Sequence, residues 1–135
     1  MLRIFFEKNT LYKTGMKDMK IMIADDNDRM RETIKKMIRK KAAVESFCQC
    51  TNGREAVEQY KAYHPDYVLM DIMMKPLNGL DAAEKIKCLD PEAKIIIVTG
   101  YDEPAYREAA QALGVHAFLL KEELNKISEI LTNNV

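Results

Sequence analysis

Between Tyr67 and Met74 the chain reads Tyr-Val-Leu-Met-Asp-Ile-Met-Met, a run of apolar and aromatic residues interrupted by one carboxylate, Asp71. The run is short and β-prone. With His64-Pro65 before it and Pro76, Asn78 and Gly79 after it, it predicts a strand buried on both faces that ends near Asp71. Burying a lone ionised carboxylate costs several kcal/mol unless something pairs with it. Asp71 therefore emerges at the strand end into a polar pocket, or meets a cation there, or both.

The rest of the chain supplies more strands of the same kind, alternating with helices. Lys20-Ile21-Met22-Ile23-Ala24 is a compact apolar run that stops at Asp25-Asp26-Asn27-Asp28, too acidic and turn-prone to continue a strand. Asn27 and Asp28 can cap a helix to about Lys41, on which Met30, Ile34, Met37 and Ile38 recur at helical spacing. Its polar face carries Arg29, Arg31, Lys35, Lys36, Arg39 and Lys40, read as a solvated face or as a docking surface for an acidic partner helix.

Val44 to Cys50 mixes polar and apolar residues as an edge strand does, and Asn52 with Glu55 resembles a capping box opening a second helix that stops before Pro65. Gly79 opens a third helix to Leu89. Lys94 to Thr99 is a second fully buried strand. Asp102 and Pro104 start a fourth helix ending at Gly114, His116 to Leu120 form a fifth strand, and Leu124, Ile127, Ile130 and Leu131 mark a short last helix. Five strand and helix pairs in alternation predict an α/β fold, a doubly wound parallel sheet with right-handed crossovers and helices on both faces.

With 135 residues and 47% hydrophobic composition there is material for one packed domain. Residues 1 to 19 hold no sustained period and are expected to be a poorly ordered lead-in to a domain over 20–135. Met16 and Met19 offer an alternative translational start. The 21 basic and 21 acidic residues cancel, so no global field favours nucleic acid or an anionic membrane. Cys48, Cys50 and Cys88 lack C-x-x-C spacing, and the apolar cluster Leu2, Ile4, Phe5 and Phe6 is shorter than a signal-peptide core, so reduced thiols in a cytoplasmic protein without membrane insertion are expected. His64 and His116 lack partners at zinc-ligand spacing.

In an open parallel sheet, ligands bind beyond the carboxyl ends of the strands. The residues expected there are Asp25 and Asp26 after the first strand, Asp71 after the third, Thr99 after the fourth and Lys121 after the fifth. Three carboxylates gathered at one place repel until one takes a proton or a dication joins them, and an oxygen-only, partly hydrated site suits Mg2+. A lysine and a hydroxyl facing that metal complete a pocket for a phosphoryl group, with Asp71 as the nucleophile that forms an acyl phosphate.

These stretches, Ile21 to Asp26, Tyr67 to Gly79, Ile95 to Gly100 and Phe118 to Lys121, closely resemble the receiver domain of two-component response regulators, and the likeness covers about residues 19 to 132. The resemblance implies a flavodoxin-like five-stranded sheet in the order 2-1-3-4-5 flanked by five helices. It implies that Asp71 accepts a phosphoryl group from a histidine kinase or histidine phosphotransfer protein. Asp25, Asp26, Asp71 and the backbone carbonyl of Met73 would hold Mg2+, Lys121 would pair with the phosphoryl group, and Thr99 would hydrogen-bond it. Phe118 would be the aromatic that follows Thr99, re-forming the face of the fourth helix, fifth strand and fifth helix that meets a downstream protein target.

Three departures stand out. Lys75 occupies the place four residues after Asp71 where the family usually has proline, with Pro76 next. Glu122 follows Lys121 where many members have proline. Met73 and Tyr101 flank the water approach to the acyl phosphate and, being bulky, predict slow self-hydrolysis. The competing readings are weaker. An aspartate-nucleophile phosphatase needs a carboxylate where Met73 stands, and a flavin binder needs a small hydroxyl-rich loop where Asp25 and Asp26 stand. A fragment of a longer regulator and a phosphorylation-independent interaction module remain as alternatives.

Overall fold

The structure, a computed structural model, describes residues 18–132. The expectations for the lead-in up to residue 17 and for the alternative start at Met16 lie outside these residues, while Met19, the last position expected in the lead-in, opens the first strand. Five strands, β1 (Met19–Ala24), β2 (Val44–Cys50), β3 (Tyr67–Met70), β4 (Ile95–Thr99) and β5 (Ala117–Leu120), form one sheet in the order β2-β1-β3-β4-β5. Every pairing is parallel. The helices are α1 (Asp28–Arg39), α2 (Gly53–Tyr63), α3 (Gly79–Leu89), α4 (Pro104–Leu113) and α5 (Ile127–Thr132), and a 3-10 segment, Lys121–Lys126, leads into α5.

The two-residue period of the strands divides the interior into two cores. Met22, Ala24, Val68, Met70, Ile95 and Ile97 face α2, α3 and α4, where they meet Ala56, Ala82, Ala83, Ile86 and Ala110. Their neighbours Ile21, Ile23, Leu69, Ile96 and Val98 face α1 and α5, where they meet Ile34, Ile38, Ile127 and Leu131. Both sets are almost wholly shielded from water, which is why β1, β3 and β4 read as unbroken apolar runs and not as alternating ones. β2 is an edge strand, as its mixed composition predicts.

Local chemistry explains the helix starts that surround the carboxyl edge of the sheet. Asn27, Asn52 and Asn78 each cap a helix, their side chains accepting from the backbone N–H of Met30, Glu55 and Asp81 at 2.9 Å. The expected capping box at Asn52 is shifted by one residue, because the Glu55 carboxylate accepts from the Thr51 N–H at 2.7 Å. Helix α1 ends at Arg39, two residues short of Lys41, and β5 begins at Ala117, one residue after His116. Asp102 does not cap α4. Glu103 takes the cap position without a side-chain bond, and the Asp102 carboxylate accepts instead from Arg107 Nε at 2.8 Å.

The loop from β3 to α3 carries the displaced proline, and the Lys75–Pro76 peptide is cis. It is pinned by two backbone bonds, Gly79 N–H to Ile72 O at 2.8 Å and Gly53 N–H to Leu77 O at 3.0 Å. A side chain at Gly79 would place its Cβ 1.8 Å from the Asp71 carbonyl oxygen, so only glycine lets α3 start this close to the end of β3.

Candidate functional site

The order β2-β1-β3 places the carboxyl ends of β1 and β3 side by side, at the point where successive connections leave the sheet in opposite directions. Ala24 pairs with Met70, so the residues that follow them, Asp25 and Asp71, are neighbours by register, and the Asp71 N–H donates to the Ala24 carbonyl at 2.9 Å. Asp25 and Asp71 are 2% and 5% exposed. Asp26 is exposed and completes a group in which one oxygen from each of the three carboxylates lies within 4.8 Å of the others.

Lys121 arrives from the end of β5. Its Nζ lies 3.1 Å from Asp25 Oδ2 and 3.4 Å from Asp71 Oδ2, bridging the two buried acids. Burial pushes the Asp71 carboxyl above the usual carboxylate range, and the negative charge of Asp25 adds to this, while Lys121 and the Ile72 N–H pull against it. Burial alone lowers an ammonium pKa, but the two carboxylates outweigh it and hold Lys121 above its ordinary value. The pocket thus carries an unbalanced negative charge. Its donors are oxygens only, which fits a hard dication such as Mg2+ better than a soft or imidazole-seeking metal.

Thr99 ends β4 wholly buried, and its Oγ1 accepts from the Tyr101 N–H at 3.3 Å. Phe118 packs against the same core as Ile95 and Ile97, its strand register opposite Ile97, two residues before Thr99. Thr99 and Phe118 therefore share one face of the sheet. The ring of Phe118 is half-buried and lies under the Arg107 guanidinium, 4.6 Å from its centroid. Met73 is 48% exposed, and its sulfur accepts a weak bond from the Tyr106 hydroxyl at 3.7 Å. Beside the acids opens a cleft of about 460 Å³, lined by Asp26, Met73, Lys75, Leu80 and Tyr106 among others.

All the side chains expected at the strand ends, Asp25, Asp26, Asp71, Thr99 and Lys121, thus stand at one edge of the sheet. Sequence reasoning missed three others. Arg31, read as part of the solvated basic face of α1, is only 8% exposed and reaches the Asp25 backbone. The signal was available, since Arg31 precedes Ile34 and Ile38 by three and seven positions and so lies on their buried stripe. Glu123 accepts from the Leu120 N–H at 3.0 Å and shapes the turn after Lys121 in a place where many family members have proline nearby. Arg107 over Phe118 is a contact between α4 and β5 that no local pattern announces.

A doubly wound sheet with buried acids at its switch point and a lysine arriving from the last strand defines a signalling module of the phosphoryl-switched class. The chain belongs to the response regulator receiver domain family, whose profile matches residues 21–132. It is a receiver of the two-component type. It is 41% identical over 118 residues to the chemotaxis protein CheY of Thermotoga maritima, covering 82% of this chain and 98% of that one. It is 31% identical to the chemotaxis protein CheY of Halobacterium salinarum, covering 83% and 96%. Among solved structures, a DNA-binding response regulator of the LuxR family from Staphylococcus aureus superposes with a TM-score of 0.79 at 28% identity, covering 85% of this chain and 97% of that one. Among the described residues, no helix is long and apolar enough to cross a membrane.

Proposed function

We propose that Asp71 is the phosphoryl acceptor of this receiver. Its carboxylate oxygen attacks the phosphorus of a phosphohistidine on a histidine kinase or histidine phosphotransfer protein. The P–N bond breaks with its electron pair remaining on the imidazole nitrogen, and an acyl phosphate forms on Asp71. Asp25, Asp26, Asp71 and the backbone carbonyl of Met73 would hold Mg2+. Bound there, Mg2+ supplies positive charge against the phosphoryl oxygens and the crowded carboxylates. The observation that carries this reading is the convergence of three carboxylates and one ammonium at a single sheet edge.

The switch follows from charge. A phosphoryl group on Asp71 brings two negative charges beside Lys121 and draws the Thr99 hydroxyl away from the Tyr101 N–H. Space opens behind Thr99 on the face that Phe118 shares, and the ring turns inward from beneath Arg107. That movement rearranges α4, β5 and α5, the face offered to a downstream protein target. The protein acts in the cytoplasm and catalyses only its own phosphorylation and slow dephosphorylation.

Incubation with a small acyl-phosphate donor, with and without Mg2+, followed by intact-mass measurement, tests the reading. Wild type gains the mass of one phosphoryl group when Mg2+ is present, and Asp71→Asn gains none. Phosphoryl incorporation persisting in Asp71→Asn overturns the assignment.

A further inference from the structure

Arg31 is the most deeply buried basic side chain of α1, and it is held at three points, in the loop after β1, on β2 and at the start of its own helix. Its Nη1 donates to the Asp25 carbonyl at 2.5 Å, its Nε donates to Gln49 Oε1 on β2 at 2.9 Å, and its Nη2 meets the Asp28 carboxylate at the start of α1. Asp25 is consequently gripped on both sides of its Cα. Its N–H donates to the Cys50 carbonyl at 3.0 Å, and its carbonyl is claimed by the guanidinium. From that fixed backbone the side chain projects with one oxygen on the Asn27 N–H at 2.9 Å and the other facing Lys121.

We infer that Arg31, steadied by Gln49, is a positioning residue that sets the affinity of the acidic pocket for a divalent cation by fixing the backbone from which Asp25 projects. The inference rests on the metal reading of Asp25, Asp26 and Asp71 given above, and concerns a residue that touches neither metal nor phosphoryl group. A buried guanidinium suits the task because its planar fork engages three acceptors in set directions, where a lysine ammonium supplies a point charge on a flexible stem. Outer-shell partners of this kind orient ligands and typically change metal affinity by tenfold or more when removed.

The sign of the effect separates positioning from charge. A cation close to the carboxylates opposes entry of a second one, so if Arg31 acted only through its charge, its removal would tighten Mg2+ binding. If it acts by holding Asp25, removal weakens binding, and Arg31→Lys weakens it with the charge retained.

Isothermal titration of the full chain with Mg2+ decides the matter, with unfolding midpoints measured in chelator alongside. Arg31→Lys and Arg31→Met are each expected to weaken Mg2+ binding about tenfold, and Gln49→Leu, which leaves the guanidinium in place, by a smaller factor in the same direction. Tighter binding in Arg31→Met, or unchanged affinity in Arg31→Lys beside a lowered midpoint, overturns the inference and leaves Arg31 a structural residue. Should neither Arg31 variant fold, unchanged affinity in Gln49→Leu overturns it. Wild type that binds no Mg2+ removes the metal reading itself, whereas wild type that binds with variants that match it removes only the role of Arg31.

Discussion

Replacing Lys121 by methionine keeps most of the side chain's volume and removes the only ammonium among the described residues that is ion-paired to Asp25 and Asp71. At 3.1 and 3.4 Å, and with an effective dielectric of about 20, each attraction is worth about 5 kcal/mol before desolvation. Burial of the ammonium offsets most of this, and the 25% exposure of the Lys121 side chain lets water screen what is left. Stranding two buried carboxylates then costs about 2–4 kcal/mol of stability near neutral pH, a fall in unfolding midpoint of roughly 10 °C for a domain of this size.

The cost depends on pH in a definite sense. Asp71 already has a folded pKa above its unfolded one, and loss of Lys121 raises it further. Between those two values the native state binds more protons than the unfolded state, so stability falls as pH rises through that window. The deficit of Lys121→Met relative to wild type is therefore largest above the folded Asp71 pKa and shrinks as the pH falls towards the ordinary carboxylate range. Added Mg2+ shrinks it at neutral pH by replacing the missing charge. Thermal unfolding at neutral and acid pH, in chelator and in excess Mg2+, gives all four values. A deficit that is the same under all four conditions, or none at neutral pH in chelator, refutes the electrostatic account.

Arg107→Met removes the cation over Phe118, an interaction of about 0.5–1 kcal/mol at an exposed site, and is expected to shift the ring of the unphosphorylated protein towards its inward position by a factor of about two to five. Ring chemical shifts of Phe118, measured before and after phosphorylation, check this, and unchanged shifts in the unphosphorylated variant count against it. The acyl phosphate proposed on Asp71 is expected to last minutes, not seconds, if the bulky Met73 and Tyr101 flank the approach of water as the family resemblance implies; both side chains are exposed, at 48% and 53%. Replacing both by small polar residues should hasten hydrolysis severalfold, read by the decay of phosphoprotein mass.

The layered architecture was legible in the chain because it depends on short-range rules. The apolar runs of β1, β3 and β4, the asparagines before α1 and α2, the glycine after α4 and the alternation of periods each report on a few consecutive residues. The five pocket side chains followed once those strands were assumed parallel, since each stands just beyond a strand's carboxyl end. Glu123 illustrates the limit. Standing one residue beyond Glu122, it fixes the turn around Lys121 by a side-chain bond to the Leu120 N–H, and nothing in the string Lys-Glu-Glu-Leu distinguishes that carboxylate from an ordinary solvated one.

What the amino-acid order settles here is therefore which residues reach the carboxyl edge of the sheet, because strand direction and side-chain alternation are local consequences of backbone geometry. Only the folded chain decides which of them touch. Lys121 spans Asp25 and Asp71 because β5 is brought, through β4, to the same edge as β1 and β3, and Arg31 leaves the solvated face of α1 because the packing of that helix on β1 turns one side of it inward. Contacts between residues dozens of positions apart depend on how whole elements pack, and that balance is struck by two buried cores and not by any one segment.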